Sequence, residues 1–293
     1  MRFPFTGVIP VDKPRGVTSR KVVDAVARAA GMKTVGHAGT LDPLATGVMV
    51  VCVGHATKLV DHIHSQTKHY SATFLLGRSS PSDDFETPIE EEAAPLRPSR
   101  ELVESAAAAF RGECLQRPCD YSAVHVEGKR AYRLARKGRP LELPLKRVRI
   151  DQLVITDYQW PRLALDVECS AGTFIRAIGR DLAVALGTRA VMESLIRTAV
   201  GPFQLADAVP LAHIDAHSLR SALRPSIEAT PHLPRYTLDD DSLALAVRGG
   251  LLPADTCVGP EVLALDSGGD LVGLLRRLES GALRLRPNFR GEG

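Results

Sequence analysis

One loop near the amino terminus gathers the residue types that catalytic sites use. Residues 36–47 place three glycines and a proline around a single carboxylate, Asp42, directly before the apolar run at residues 48–53. Glycines let a ligand or another backbone approach closely, and Pro43 restricts Asp42 to an extended backbone. The spacing alone fits two alternatives: a rigidly held catalytic carboxylate, and a turn in which Asp42 caps its own backbone.

A second charged residue has a position that asks for an anionic partner. Arg176 falls in the first turn of a helix predicted over residues 173–187, where the helix dipole disfavours a cation by about 0.3–1 kcal/mol. A buried Asp42 carboxylate would offset this cost. In return, Arg176 would oppose the desolvation of Asp42 and keep it ionised. The alternative is a surface arginine that contacts phosphate.

The elements that must position these residues are predicted from apolar periodicity and from helix start and stop signals. Strands are predicted at residues 7–12, 48–53, 69–76 and 163–169, and helices at 19–30, 99–110 and 173–187. Thr173 is expected to cap the last helix and Ala185 to face inward. The 99–110 helix is expected to bury Leu102 and to end at Gly112. Because strands and helices mix without a regular βαβ period, the predicted class is α+β.

Composition is typical of a globular protein, with 293 residues, 44% hydrophobic and 24% charged. The sequence has no run of about 18 uncharged apolar residues, which excludes a membrane-spanning helix. Residues 1–12 lack the layout of a signal peptide, so we expect a cytoplasmic protein. The five cysteines show no zinc-type spacing, and we expect reduced thiols and no metal. Surface or packing roles are expected for His55, His62, His64 and His69.

Charge is unevenly distributed although the formal net charge is only +3. Residues 83–101 hold seven acidic side chains, whereas residues 111–149 hold eleven basic and four acidic ones, with Tyr121 and Tyr132 interleaved. Such a basic excess is typical of a surface that contacts phosphates, and it also fits a solvated basic face.

A proline-rich stretch divides the chain. Pro225, Pro231 and Pro234 predict a linker at residues 225–236. We expect a large domain at residues 1–224 and a small β-rich domain at 237–293. Short strands are expected in the small domain at residues 262–265, 271–275 and 282–285.

The loop around Asp42 resembles the catalytic motif of the TruB family of tRNA pseudouridine synthases. Other segments resemble further motifs of the family in the same order: residues 11–19, 68–70, 79–84, 121–132 and 170–176, with Leu195 and Arg197 in the last motif. Independent matches in one order are more specific than any single short pattern. The resemblance implies the pseudouridine synthase α+β fold, with a curved mixed sheet, a central catalytic cleft and a PUA-like tail.

The resemblance also implies roles for individual residues. The implied catalytic residues are Asp42 as nucleophile, Tyr70 and Arg176, and the implied substrate-binding residues are His37, Phe174 and Leu195. The residues expected to support the site are Lys13, Pro14, Gly39 and Thr40. The residues expected to bind RNA are Lys129, Arg130, Arg133 and Arg136. Phe174 departs from the family pattern, in which many members carry Tyr, so a hydroxyl contact is lost there. Asp83 is the next carboxylate candidate after Asp42.

The implied reaction is isomerisation of uridine to pseudouridine at position 55 in the T loop of tRNA, after base flipping and without a cofactor. The segment near 77–145 is implied to include an insertion that grips the T stem-loop of tRNA. No obligatory protein partner and no membrane are expected, and attack at C1′ or at C6 stays open. The alternatives are a guide-dependent rRNA pseudouridine synthase of the dyskerin-like branch, a nucleosidase or glycosylase, and an RNA-binding chaperone without catalysis.

Overall fold

The computed structural model describes residues 5–122, 125–126, 129–130, 132, 134, 143–257 and 259–290. The strands are β1 (Gly7–Lys13), β2 (Val35–His37), β3 (Thr46–Val53), β4 (Lys68–Leu76), β5 (Arg78–Ser79), β6 (Glu90–Glu91), β7 (Gly112–Gln116), β8 (His125–Val126), β9 (Lys129–Arg130), β10 (Lys146–Gln159), β11 (Arg162–Cys169), β12 (Ala190–Val200), β13 (Phe203–Gln204), β14 (Val209–Pro210), β15 (Arg235–Thr237), β16 (Leu251–Leu252), β17 (Glu261–Leu265), β18 (Leu271–Arg277) and β19 (Leu283–Asn288). The helices are α1 (Ser19–Ala30), α2 (Val60–His64), α3 (Arg100–Ala108), α4 (Ile175–Ala185), α5 (Ala216–Ala222) and α6 (Asp240–Val247).

One large mixed sheet forms the framework. Within the described ranges its main path runs β14-β1-β3-β12-β4-β11-β10-β7, with β13 beside β12 and β2 beside β3. The central strand β12 runs parallel to β3 and antiparallel to β4. This pairing places Arg197 opposite both Gly47 of β3 and Tyr70 of β4. The strands predicted at residues 7–12, 48–53, 69–76 and 163–169 are all confirmed.

Helix α1 confirms the prediction over residues 19–30. The Thr18 side chain accepts a hydrogen bond from the Lys21 amide at its start, and Gly31 ends it in the left-handed conformation. Its buried side chains pack on β1 and β3 in an apolar cluster that includes Val22, Val26, Ile9 and Val51. This packing fixes the turn that precedes α1 relative to the sheet.

Helix α4 lies directly on strand β4. A Cβ atom at residue 179 would come within 2.0 Å of the Phe74 ring, so Gly179 is what permits this close approach. The expected cap is wrong, because the Thr173 hydroxyl bonds instead to the Ser170 carbonyl. The side chain of Gln116 satisfies both backbone groups of Phe174, the residue before the helix. Ala185 is exposed, and Ala183 takes the buried position.

Helix α3 begins at the predicted Ser99 cap but differs from the prediction beyond it. It packs through the narrow face of Val103 and Ala107, which leaves Leu102 59% exposed. The helix ends at Ala108, and Gly112 instead opens β7 at a positive φ of 94°. The apolar periodicity is therefore correct for the helix and wrong for the burial of Leu102.

The carboxyl-terminal part forms a second sheet, ordered β15-β17-β18-β19-β16. Strand β15 begins at Arg235, inside the stretch predicted as a linker, and pairs in parallel with β17. Leu263 and Leu274 of this sheet belong to the same buried apolar cluster as Val8 and Phe203 of the large sheet. The division into residues 1–224 and 237–293 stays a prediction. In the part of the chain that the structure describes, no helix is long and apolar enough to cross a membrane.

Candidate active site

A cleft of about 350 Å³ opens at the point where the Asp42 loop meets the central strands. Its lining consists of residues 39–42, residues 172–176, His64, Lys68, Tyr70, Ser122, Lys146, Leu195 and Arg197. The sequence-predicted residues Asp42, Tyr70, Phe174, Arg176 and Leu195 therefore come together although they are far apart in the chain. Gly39 and Thr40 line the same cleft.

The backbone on both sides of Asp42 is held by the turn before α1. The Ser19 hydroxyl exchanges hydrogen bonds of 2.9 Å with the carbonyl and the amide of Leu41. The carbonyl of Pro43 accepts from the Gly16 amide at 2.7 Å and from the Lys13 ammonium at 3.4 Å. The Asp42 side chain remains 38% exposed. The loop is therefore fixed while its carboxylate stays open to the cleft.

Lys13 is fully buried beneath this loop. Its ammonium also donates to the carbonyls of Pro14 at 3.1 Å and Val17 at 2.8 Å. Burial lowers the pKa of Lys13 to about 8, and the nearby Asp42 carboxylate opposes that shift. Lys13 lies outside the cleft lining, in a place suited to supporting the loop.

Arg176 joins two carboxylates below the cleft. Its guanidinium lies 2.9 Å from Oδ2 of Asp42 and 3.3 Å from Oδ2 of Asp84, and the arginine is almost completely buried. It also donates to the carbonyls of Ser82 at 2.7 Å and Tyr121 at 2.8 Å. Four partners thus fix this guanidinium, and two of them are the anionic neighbours that its position near the start of α4 was expected to need.

Electrostatics at this pair follow from burial and from the ion pair. Burial raises the pKa of the Asp42 carboxyl above its ordinary value, the Arg176 guanidinium acts against that rise, and Asp84 and Glu86 add to it. Burial alone would lower the pKa of Arg176, but Asp42 and Asp84 hold it above its ordinary value. The guanidinium therefore stays charged beside Asp42.

Asp84, rather than Asp83, is the second carboxylate at Arg176. Asp83 instead pairs with Arg180 at 3.2 Å and takes a positive φ of 59°. Two adjacent aspartates in a loop give no sequence signal for which one turns inward. Asp84 is buried, and its Oδ1 also accepts from the Glu86 amide at 2.9 Å.

Arg197 is a site residue whose role the sequence pattern left unassigned. It is 2% exposed, and its guanidinium donates to the carbonyls of Val48 at 2.7 Å, Gly39 at 3.1 Å and Thr40 at 3.4 Å. It also lies opposite Tyr70 in the pairing of β12 with β4, where its charge acts on the pKa of the tyrosine. Its place in the last family-like motif was the available signal. Arg197 links the Asp42 loop to the tyrosine.

The remaining predicted substrate-binding residues divide into two groups. Phe174 and Leu195 line the cleft, as does Tyr70, whose pKa burial raises and Arg197 lowers in part. His37 lies behind the loop, where its Nδ1 accepts from the Gly39 amide at 3.3 Å. Burial, helped by Arg197 and His64, lowers the pKa of His37.

The predicted RNA-binding residues are placed only in part. Lys129 and Arg130 form β9, which pairs with β8 in a two-stranded sheet. Arg133 and Arg136 lie outside the described residues. Their role in RNA binding stays a prediction. Within the described ranges, no three His, Cys, Asp or Glu side chains come together as metal ligands would.

Comparison with known proteins places the chain among its relatives. Residues 27–175 match the family described as TruB family pseudouridylate synthase (N terminal domain). The tRNA pseudouridine synthase B of Syntrophobacter fumaroxidans is 39% identical over 255 residues, covering 85% of this chain and 83% of its own. That of Phocaeicola vulgatus is 44% identical over 215 residues, covering 71% of this chain and 92% of its own.

Solved structures agree on the fold. A crystal structure of a Cbf5-Nop10-Gar1 complex aligns with a TM-score of 0.75 at 24% identity, covering 97% of this chain and 85% of that chain. The structure of an H/ACA RNP bound to a substrate RNA containing 2′-deoxyuridine aligns with a TM-score of 0.73 at 22% identity. The alignment covers 97% of this chain and 84% of that chain. The α+β prediction is confirmed, with a large mixed sheet and a PUA-like β tail. Family match, sequence identity and fold agree, and the chain belongs to the TruB family of pseudouridylate synthases.

Proposed function

We propose that this chain isomerises the uridine at position 55 in the T loop of cytoplasmic tRNA to pseudouridine, with Asp42 as the nucleophile. The observation that carries the proposal is a half-exposed Asp42 carboxylate, 2.9 Å from a buried arginine, in a cleft that Tyr70 and Phe174 also line. The relatives that are 39% and 44% identical are named tRNA pseudouridine synthase B, which supports tRNA as the substrate.

The reaction requires the uridine to leave its stack, because Asp42 lies inside the cleft. The rings of Tyr70 and Phe174 offer faces on which the flipped base stacks. Asp42 then attacks and forms a covalent bond, the N1–C1′ bond breaks, and the uracil turns and rejoins the sugar through C5. The bond to Asp42 breaks again, which releases the carboxylate, and N1 takes up a proton. The C5 proton is lost in the last step, and the Tyr70 hydroxyl supports its removal. Attack at C1′ and attack at C6 both fit this placement.

Arg176 serves the nucleophile in two ways. Its charge favours the ionised form of Asp42, which burial alone would disfavour. When Asp42 becomes covalently bound it loses its charge, and Asp84 with the carbonyls of Ser82 and Tyr121 still holds the guanidinium. Arg176 therefore keeps its position through the reaction cycle, ready to pair with Asp42 when the carboxylate is released.

The test is pseudouridine formation on an unmodified tRNA transcript, mapped by carbodiimide treatment and primer extension. Asp42→Asn should bind the transcript like the parent and form no product, since the amide keeps the shape and loses the nucleophilic charge. Asp24→Asn is a matched control, because Asp24 is 40% exposed and pairs with Arg20 on the surface of α1. Turnover by Asp42→Asn above a few per cent of the parent rate would assign the nucleophile to another residue.

The same assay separates the alternatives. A glycosylase releases uracil, whereas isomerisation leaves the RNA mass unchanged. A chaperone without catalysis binds the transcript and leaves it unmodified. A guide-dependent rRNA enzyme requires an added guide RNA for any product. Pseudouridine at one T-loop position without a guide RNA would support the tRNA activity alone.

A further inference from the structure

The lining of the cleft is strongly basic. Among the described residues that line it, five carry basic side chains and only Asp42 carries an acidic one. The basic residues are His64, Lys68, Lys146, Arg176 and Arg197. Because RNA carries negative charge, a surplus of basic side chains is typical of a surface that phosphates approach.

Three of these five basic side chains already have partners. Arg176 is paired with Asp42 and Asp84. Arg197 donates to three backbone carbonyls, and the buried Lys68 ammonium donates to the carbonyls of His64 and Gln66. These three side chains hold protein segments in place, and their hydrogen-bonding capacity is largely used within the chain.

His64 and Lys146 differ from the other three. His64 is the last residue of α2, and Lys146 is the first of β10, and both are exposed. Within the described part of the chain, neither side chain has an acidic or hydrogen-bonding partner. Two basic side chains without described partners thus border the cleft that holds Asp42.

His64 and Lys146 each lie beside a glycine of a segment that lines the cleft. The His64 Cδ2 is 3.9 Å from the position that a Cβ at Gly39 would take, next to the Asp42 loop. The Lys146 Nζ is 3.2 Å from the Cβ position of Gly172, in the segment that leads to Arg176. A side chain at either glycine would occupy the space beside the imidazole or the ammonium. Because glycine has no side chain, that space is open to a ligand.

We propose that His64 and Lys146 together bind one backbone phosphate of the RNA adjacent to the flipped uridine. This inference rests on the proposed function and adds a substrate-positioning subsite to it. A phosphate offers acceptor oxygens to both an imidazolium and an ammonium, which a neutral base edge does not. Fixing the backbone beside the target nucleotide would hold its sugar in reach of Asp42.

The electrostatics of His64 agree with this assignment. Burial lowers its pKa, and the positive charges of Lys68, Lys146 and Arg197 lower it further, while only Asp61 acts in the other direction. His37 is also within electrostatic reach. The imidazole therefore lies in a positive electrostatic potential. An anion bound between His64 and Lys146 would reduce that potential, so a bound phosphate would raise the pKa of His64 and favour the protonated ring.

The first experiment measures pseudouridine formation and binding on a T-arm hairpin RNA. His64→Ala and Lys146→Ala should each raise KM about tenfold at low salt, as expected for loss of a charge-assisted hydrogen bond, with kcat nearly unchanged. Each should lower the slope of log affinity against log salt by up to about 0.7, the value for one single-stranded phosphate. His64→Lys supplies a cation at the same place and should retain the parent KM. The exposed His217 and Lys33 give matched controls, His217→Ala and Lys33→Ala.

The second experiment replaces single phosphates around the target uridine with uncharged methylphosphonates. At one position the parent should lose affinity, each single variant should lose less, and the double variant His64→Ala/Lys146→Ala should lose nothing more, since both contacts to that phosphate are then gone. Additive losses at every position, an unchanged salt slope, or a fall in kcat without a change in KM would overturn the subsite. A parent that binds the hairpin but forms no pseudouridine would instead refute the proposed function, and the binding cycle would still test the subsite.

Discussion

Arg197 offers the sharpest test of how the Asp42 loop is held. Arg197→Ala removes donors to three carbonyls, of which that of Val48, at 2.7 Å, is buried. Hydrogen bonds from charged donors contribute about 1.5–3 kcal/mol, and water can replace the donors at Gly39 and Thr40 beside the cleft. Adding the packing of the lost side chain, we expect the free energy of unfolding to fall by about 3–4 kcal/mol. For a chain of 293 residues, that lowers the Tm by about 5–7 °C.

Activity should fall further than stability alone would require. Because Arg197 donates to the carbonyls of Gly39 and Thr40 and lies opposite Tyr70 on the neighbouring strand, its loss should shift Asp42 relative to the base. A displacement of about 1 Å costs on the order of 100-fold in rate. Thermal unfolding and single-turnover pseudouridine formation measure the two effects at a temperature where the variant is folded. Arg20→Ala is the control, since its exposed ion pair with Asp24 contributes only about 0.3–0.5 kcal/mol. An Arg197→Ala protein with the melting point and rate of that control would refute the reasoning.

Three further predictions concern neighbouring residues. Tyr70→Phe should keep base stacking and lose only the hydroxyl, whereas Tyr70→Leu loses both; equal losses in single-turnover rate would assign the role to the hydroxyl alone. Gly47→Ala should prevent stable folding, because its Cβ would lie 2.3 Å from the Arg197 carbonyl at a φ of 99°, while Gly16→Ala, at φ 81° with open space, should cost about 1 kcal/mol in urea unfolding. The pKa of Lys13 is about 8 in the folded protein and ordinarily 10.5, so between these values the unfolded state binds more protons and the free energy of unfolding should rise with pH. Lys13→Met should lack this contribution when unfolding curves at pH 8 and pH 10 are compared.

Local sequence signals were enough to predict a helix whose two ends are fixed by residues close by in the chain. Helix α1 has its cap at Thr18 and its left-handed end at Gly31, both of which depend on adjacent backbone groups. The start of α4 could not be predicted in this way. Gln116, 58 residues earlier in the chain, satisfies the backbone at Phe174, and no local pattern around Thr173 reports that contact.

The site was predictable in its members more than in its contacts. The family-like motifs named Asp42, Tyr70 and Arg176, and the structure brings all three to one cleft. The burial of Arg197 was not predicted, because charged residues are ordinarily exposed and its partners are carbonyls 149 to 158 residues away. His64 gave no spacing signal, because it reaches the cleft only through the end of α2.

The placement of Arg197 explains why the positions of Asp42 and Tyr70 depend on the central sheet. Strand β12 runs parallel to β3 and antiparallel to β4, so a single residue on it lies beside the strand that follows the Asp42 loop and the strand that carries Tyr70. A buried guanidinium with three carbonyl partners has few alternative positions. A change in the register of β12 would therefore displace Asp42 and Tyr70 together. The distance between Asp42 and the Tyr70 ring is thus set by strand pairing in the core.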